Sequence, residues 1–212
     1  MRWVRDPTGR FPQRPHFEAE ELDARAEQCV EAFLQRRRGQ VAYPLTTNDL
    51  VALVESRTAD LDLYADLTDE GSDVEGVTYF APGGKPAVQV SRTLDDARRE
   101  TRQRMTLAHE LGHVDLHNAL WPAEPPAELF PDPARPGPVR CLRRAIERPG
   151  STADWMEWQA AYFASALLMP QRACRTVLAT APADTDREAV AATAFHVSRA
   201  AAHVRLIYLG PN

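Results

Sequence analysis

Two histidines four residues apart, in Thr106-Leu-Ala-His-Glu-Leu-Gly-His113, constrain this chain more than any other feature. On a helix, positions i and i+4 stand one above the other on one face, so His109 and His113 can reach a single metal ion. Glu110 is angled toward the same side but lies one position off the ligand row, which suits a base acting on water rather than a ligand. One straight helix can hardly wrap three side chains around a tetrahedral ion, so a third ligand has to come from elsewhere in the fold. The bland alternative is a pair of helical histidines beside a surface glutamate. The surrounding sequence has to decide between the two.

The surroundings favour the metal. Helix signals begin near Leu94 and run to His117, with Met105, Leu107, Ala108, Leu111 and Val114 spaced to pack inward. The string is therefore expected on a helix, as the H-E-x-x-H signature of zinc peptidases requires. Gly112 costs up to about 1 kcal/mol relative to Ala in a helix, which makes sense if something approaches the helix closely between the two histidines.

Several residues compete for the third ligand. A histidine at position 119 would define the metzincin pattern, but that position is Ala119. His117 continues the row from His113 and reads better as a supporting or packing residue than as a ligand. After Pro149-Gly150, a Ser-x-x-Asp box over Ser151–Asp154 opens a new helix near Thr152. Glu157, Ala160, Ala161, Ala164 and Leu168 share one face of it, so a single carboxylate sits on a face of mostly methyl groups. Glu157 is the preferred third ligand, with Asp154 and Glu147 as alternatives.

The rest of the chain reads as a scaffold. Residues 1–16, rich in Pro, Arg and Gly, are expected as an extended arm whose Trp3 and Phe11 dock on the body or stay loose. An amphipathic helix follows over about 17–38, closing on Arg36-Arg-Arg-Gly39, where basic residues complement the helix dipole. Thr46-Thr-Asn-Asp49 caps a second helix. The acidic run 60–75 reads as a solvated face, with a half-buried strand over Leu61–Leu67. Val77–Phe80 and Ala87–Ser91 form a hairpin around Ala81–Pro86, and one of its strands is expected at a sheet edge where an extended peptide could pair. Seven prolines in 121–139 mark a surface loop. Three short helices, over Arg172–Leu178, Asp186–Phe195 and Ser198–Leu209, end the chain. The last two faintly resemble a helix-turn-helix, without a compact basic face.

A length of 212 residues suits one domain, 17–212, behind the arm. The net charge of −5 and dispersed arginines argue against direct nucleic-acid binding. No run is long and apolar enough to span a bilayer, and no secretory leader opens the chain, so a cytoplasmic location without membrane association is expected. Cys29, Cys141 and Cys174 are far apart and read as reduced thiols.

With these residues in view, the chain resembles the ImmA/IrrE family of metallo-endopeptidases. Three stretches carry the likeness: Arg104–His113 with His117; Glu157-Trp-Gln-Ala-Ala-Tyr-Phe-Ala164 running into Leu167-Leu-Met-Pro170; and Phe195-His-Val-Ser198 with Arg205-Leu206. They cover roughly residues 76–212. The resemblance implies an α+β, zincin-like fold, mostly helical, with a small antiparallel sheet or hairpin before the H-E-x-x-H helix. It implies Zn²⁺ on His109, His113 and Glu157, with Glu110 as catalytic base. It also implies regulated proteolysis of a protein substrate such as a helix-turn-helix repressor. The chain departs from the family pattern at Gln159, where an acid is frequent, and at Ala161, where Asn is common.

Tyr162, His196 and Arg205 are candidates to steady the oxyanion in such a reaction. Cys141, between the two ligand helices, is either an inhibitory thiolate on the metal or an ordinary free thiol. Two other functions compete: a zinc-stabilised regulator or binding module with little activity, and a DNA-binding regulator that uses the C-terminal helices.

Overall fold

The computed structural model describes residues 1–81, 83–121, 155–182 and 184–210, and the backbone of 140–144. In chain order these form β1 (Arg2–Arg5), β2 (Gln13–His16), α1 (Ala19–Arg38), α2 (Thr47–Arg57), β3 (Asp60–Ala65), β4 (Val74–Tyr79) and β5 (Ala87–Ser91). They continue with α3 (Glu100–His117), β6 (Arg140–Arg144), α4 (Trp155–Leu168), α5 (Gln171–Thr180), α6 (Arg187–Phe195) and α7 (Arg199–Leu209). The fold is α+β, as expected. No helix among the described residues is long and apolar enough to cross a membrane.

The stripe Leu22, Ala26, Cys29, Val30, Phe33 and Leu34 is the buried side of α1, as its 3.6-residue spacing requires. Glu18 and Glu21 cap its start, and Gly39, with φ 70°, closes its end by donating to the Gln35 carbonyl. A left-handed residue at that position suits glycine because a Cβ would be strained there. The basic end of α1 does more than complement the dipole. Arg37 and Arg38 both pair with the buried carboxylate of Asp49, which also accepts from Thr46 in the capping box of α2. The run of arginines thus pins α1 to α2.

Four strands make one mixed sheet in the order β3-β5-β4-β6. β3 runs parallel to β5, while β4 is antiparallel to both β5 and β6. This changes the expected hairpin in two ways. First, β4 and β5 are both interior, so neither is the sheet edge: β3 covers β5, and β6 covers β4 with Thr78 opposite Cys141. Second, the sheet includes a strand from beyond the H-E-x-x-H helix, in a segment that local composition could not mark. Edge strands tend to acquire partners because their open N–H and C=O groups seek them.

The N-terminal arm also differs from expectation. Residues 2–5 and 13–16 pair antiparallel as β1 and β2, with the turn held by the Asp6 carboxylate, which accepts from the N–H groups of Thr8 and Phe11. Phe11 packs against Trp121 and Trp155 with ring centroids 4.7 and 6.3 Å away. Trp3 stays half exposed. The prolines and Gly9 that signalled an extended arm occupy the turn and the second strand of this hairpin. The expected proline-rich loop lies, beyond Trp121, outside the described residues, as does the Ser151–Asp154 capping box.

The central helix is α3. It packs on α4 and α2 and lies against β4, so most of its surface is buried. Gly112 is where α4 comes closest: a Cβ there would stand 2.9 Å from Ala160 Cα and 3.0 Å from its carbonyl oxygen. The expected close approach between the histidines is therefore a helix backbone, and the small-residue face of α4 is what allows it. Arg104, also buried, joins three helices. Its guanidinium donates to the carbonyls of His196 and Phe195 at the end of α6 and to Thr47 of α2.

Candidate metal centre

Two adjoining helices bring three donors together. His109 Nε2 lies 3.1 Å from His113 Nε2. Oε2 of Glu157 is 3.0 Å from His109 Nε2, and Oε1 is 3.2 Å from His113 Nε2. Among the described residues these three form the one group of histidine, cysteine or carboxylate side chains close enough to share an ion. Asp154 and Glu147, the alternative ligands, lie outside the described residues.

The donor set fits zinc. Metal–ligand distances of about 2.0–2.1 Å at a tetrahedral centre separate neighbouring ligand atoms by about 3.3 Å, close to the separations found. Both imidazoles are fully buried, while the Glu157 side chain keeps 23% exposure, so the site opens toward solvent on the carboxylate side. Burial alone would raise the Glu157 carboxyl pKa, but His113 and His109 beside it hold it well below the usual carboxylate range. It is a carboxylate ready to ligate.

Glu110 faces β4. Thr78 Oγ1 donates to Glu110 Oε2 at 2.6 Å, and a Cβ built on Gly76 would collide with Glu110 Oε1. The sheet thus orients the carboxylate through a hydroxyl, and a glycine makes room for it. A glycine and a threonine within a β-rich stretch carry no motif, so nothing in the sequence marks Gly76 and Thr78 as site residues. Only the packing of β4 across α3 reveals them.

His117 supports the site: its Nδ1 is 3.0 Å from His113 Nδ1, and its Nε2 is 3.0 Å from Gln159 Oε1. Burial, reinforced by the neighbouring His113, holds its pKa well below the ordinary histidine value. A wall of Phe80, Trp155 and Met156, with Phe11, Leu120 and Trp121 against it, adjoins these rings. Phe80 lies edge-on to His113 at 6.3 Å.

The three candidates for steadying an oxyanion are engaged elsewhere. The Tyr162 hydroxyl donates to Asp23 of α1 at 3.0 Å. Burial and the Asp23 charge push its pKa up to about 12, so it remains a donor. Arg205 is fully buried and binds the same Asp23 and the Met169 carbonyl. His196 is half exposed at the left-handed end of α6, 3.6 Å from Glu100. Tyr162 and Glu157 share α4, but Tyr162 faces α1 and Glu157 faces α3. Cys141 lies in β6, and its side chain is outside the described residues.

The role of Arg205 has a measurable consequence. Breaking a buried ion pair from one side costs about 3–5 kcal/mol, because the remaining charge is orphaned. Arg205→Leu is expected to lower stability to urea by about 3 kcal/mol, and adding Asp23→Leu should recover much of the loss. A drop in turnover with unchanged stability would instead return Arg205 to the reaction.

Two imidazoles of one helix and a carboxylate of the next make, within this α+β fold, a group that could hold a metal ion. Residues 142–207, roughly a third of the chain, match the family Peptidase_M78, described as the IrrE N-terminal-like domain. The resemblance seen in the sequence is borne out over that stretch, and the match supports a function of the peptidase kind. It includes Glu157 and the C-terminal helices, and it begins after the H-E-x-x-H segment. No curated protein matches the chain.

Proposed function

We propose that this protein is a zinc-dependent endopeptidase of the ImmA/IrrE type, acting in the cytoplasm on a regulatory protein such as a helix-turn-helix repressor. The observation that carries this reading is the convergence of His109, His113 and Glu157 on one point, with the adjacent Glu110 held by Thr78. Zinc bound by those three side chains would supply Lewis acidity to a water molecule and to a peptide carbonyl. Glu110 takes the proton of the attacking water and returns it to the leaving amine nitrogen. Thr78 keeps the carboxylate in one rotamer, so little ordering is left for the reaction itself. Buried free thiols at Cys29 and Cys174 suit a reducing compartment.

The DNA-binding alternative is less favoured, because the exposed side of α7 carries the apolar Val204, Ile207 and Tyr208 beside Arg199, whose charge is already taken by Asp186 and Glu188. A phosphate-binding face would carry cations there.

The test is metal analysis followed by digestion of casein, and of any co-encoded repressor, with and without chelator. Close to one zinc per chain is expected, with cleavage lost on chelation and restored by added zinc. A zinc-loaded chain that cleaves neither protein would favour the zinc-stabilised regulator instead.

A further inference from the structure

Gln159 stands where the family pattern often has an acid, and the structure supplies a reason for the amide. Its two ends face different partners. Oε1 is 3.0 Å from His117 Nε2, and Nε2 donates to the backbone carbonyl of Pro15 at 3.0 Å. Gln159, His117 and His113 are all at most 1% exposed, so water does not compete for these bonds. A carbonyl oxygen accepts only. Pro15 therefore turns the amide nitrogen toward itself and the amide oxygen toward His117.

The rest of the chain of bonds follows. His117 must carry its hydrogen on Nε2, which leaves Nδ1 as an acceptor. His113 must then donate from Nδ1, 3.0 Å away, which leaves the lone pair on Nε2, the nitrogen facing His109 and Glu157. One backbone carbonyl sets the direction of every bond up to a ligand atom. A carboxylate at 159 could accept from His117 but would have nothing to give Pro15. The same hairpin grips the site a second time: Asp6 accepts from Trp155 Nε1 at 3.2 Å, and the Trp155 ring stands edge-on to His117 at 5.5 Å.

We infer that Gln159 is a positioning residue through which the N-terminal hairpin sets the ring orientation and tautomer of His113, so that hairpin docking and metal affinity are coupled. This rests on the reading that His109, His113 and Glu157 hold zinc. Partners in the outer shell of a metal site are typically worth about 10–100-fold in affinity. Coupling is reciprocal, so zinc must in turn stabilise the hairpin.

The experiment uses the full-length chain, with Zn²⁺ affinity measured by chelator competition and amide exchange followed in residues 2–5 and 13–16. In the unaltered chain, zinc is expected to slow exchange in both strands. Gln159→Leu should weaken zinc binding about 10–100-fold and abolish that slowing. Gln159→Glu, which keeps the acceptor for His117 and loses the donor to Pro15, should also lose the slowing, and it decides the matter if the leucine variant does not fold. Zinc binding and hairpin protection that are both unchanged by the substitutions overturn the inference alone. An unaltered chain that binds no zinc overturns the metal reading, and this inference with it.

Discussion

Glu110→Gln is expected to lower kcat by about a thousandfold while leaving zinc content unchanged, the middle of the 10²–10⁴ range for a positioned general base. The substitution is nearly isosteric, and the amide oxygen can still accept from Thr78, which now holds Glu110 Oε2 at 2.6 Å. The side chain should therefore stay in place against Gly76 and lose only its capacity to take a proton. Glu110 is not among the three converging donors, so metal analysis should give the same stoichiometry in both chains. A peptide-cleavage assay beside metal analysis separates the outcomes. Activity equal to that of the unaltered chain would remove Glu110 from its role as base, and loss of zinc would make it a ligand.

Glu157→Ala should weaken zinc binding by more than a hundredfold, beyond the 10–100-fold that outer-shell changes cost. Glu157 is the only donor of the three not on α3, and its two oxygens reach both imidazoles. Without it, His109 and His113 remain on one helix with no carboxylate to close the set. The effect can be read without any substrate. At a zinc concentration 100 times the native dissociation constant, zinc should raise the stability of the unaltered chain by about 2.7 kcal/mol, and that of the variant by about 0.4 kcal/mol or less. Equal stabilisation of the two chains would mean that the metal sits elsewhere, and the proposed peptidase chemistry would go with it.

His109, Glu110 and His113 could be read directly, because four-residue spacing on a helix is a geometric statement in itself. Glu157 was legible for a related reason: one carboxylate among alanines on a helical face has to meet whatever the helix touches. Tyr162 and Arg205 were candidates by donor chemistry alone, which says what a side chain can give without saying which neighbour it meets. Both turned out to serve Asp23 of α1, a residue that no local pattern connects to them.

The sheet shows the same limit more sharply. Alternation placed a strand close to β3 and β-rich composition located β5, but strand order depends on which backbone edges find each other, and β6 reached β4 across the whole of α3. The hairpin of residues 2–16 was hidden by its prolines, which signal turns and extended chain equally. Gln159 looked like a defect in a family pattern, although its amide is the group that can satisfy a histidine and a carbonyl at once.

Sequence alone placed the helices, the paired histidines and the glutamate between them, because these depend on periodicities of a few residues that the backbone imposes wherever it is helical. Tertiary structure alone decided how closely Glu157 approaches the pair, which strand covers β4, and how the N-terminal hairpin reaches His113. Those are contacts between segments far apart in the chain, selected by packing and by the need of every buried polar group for a partner.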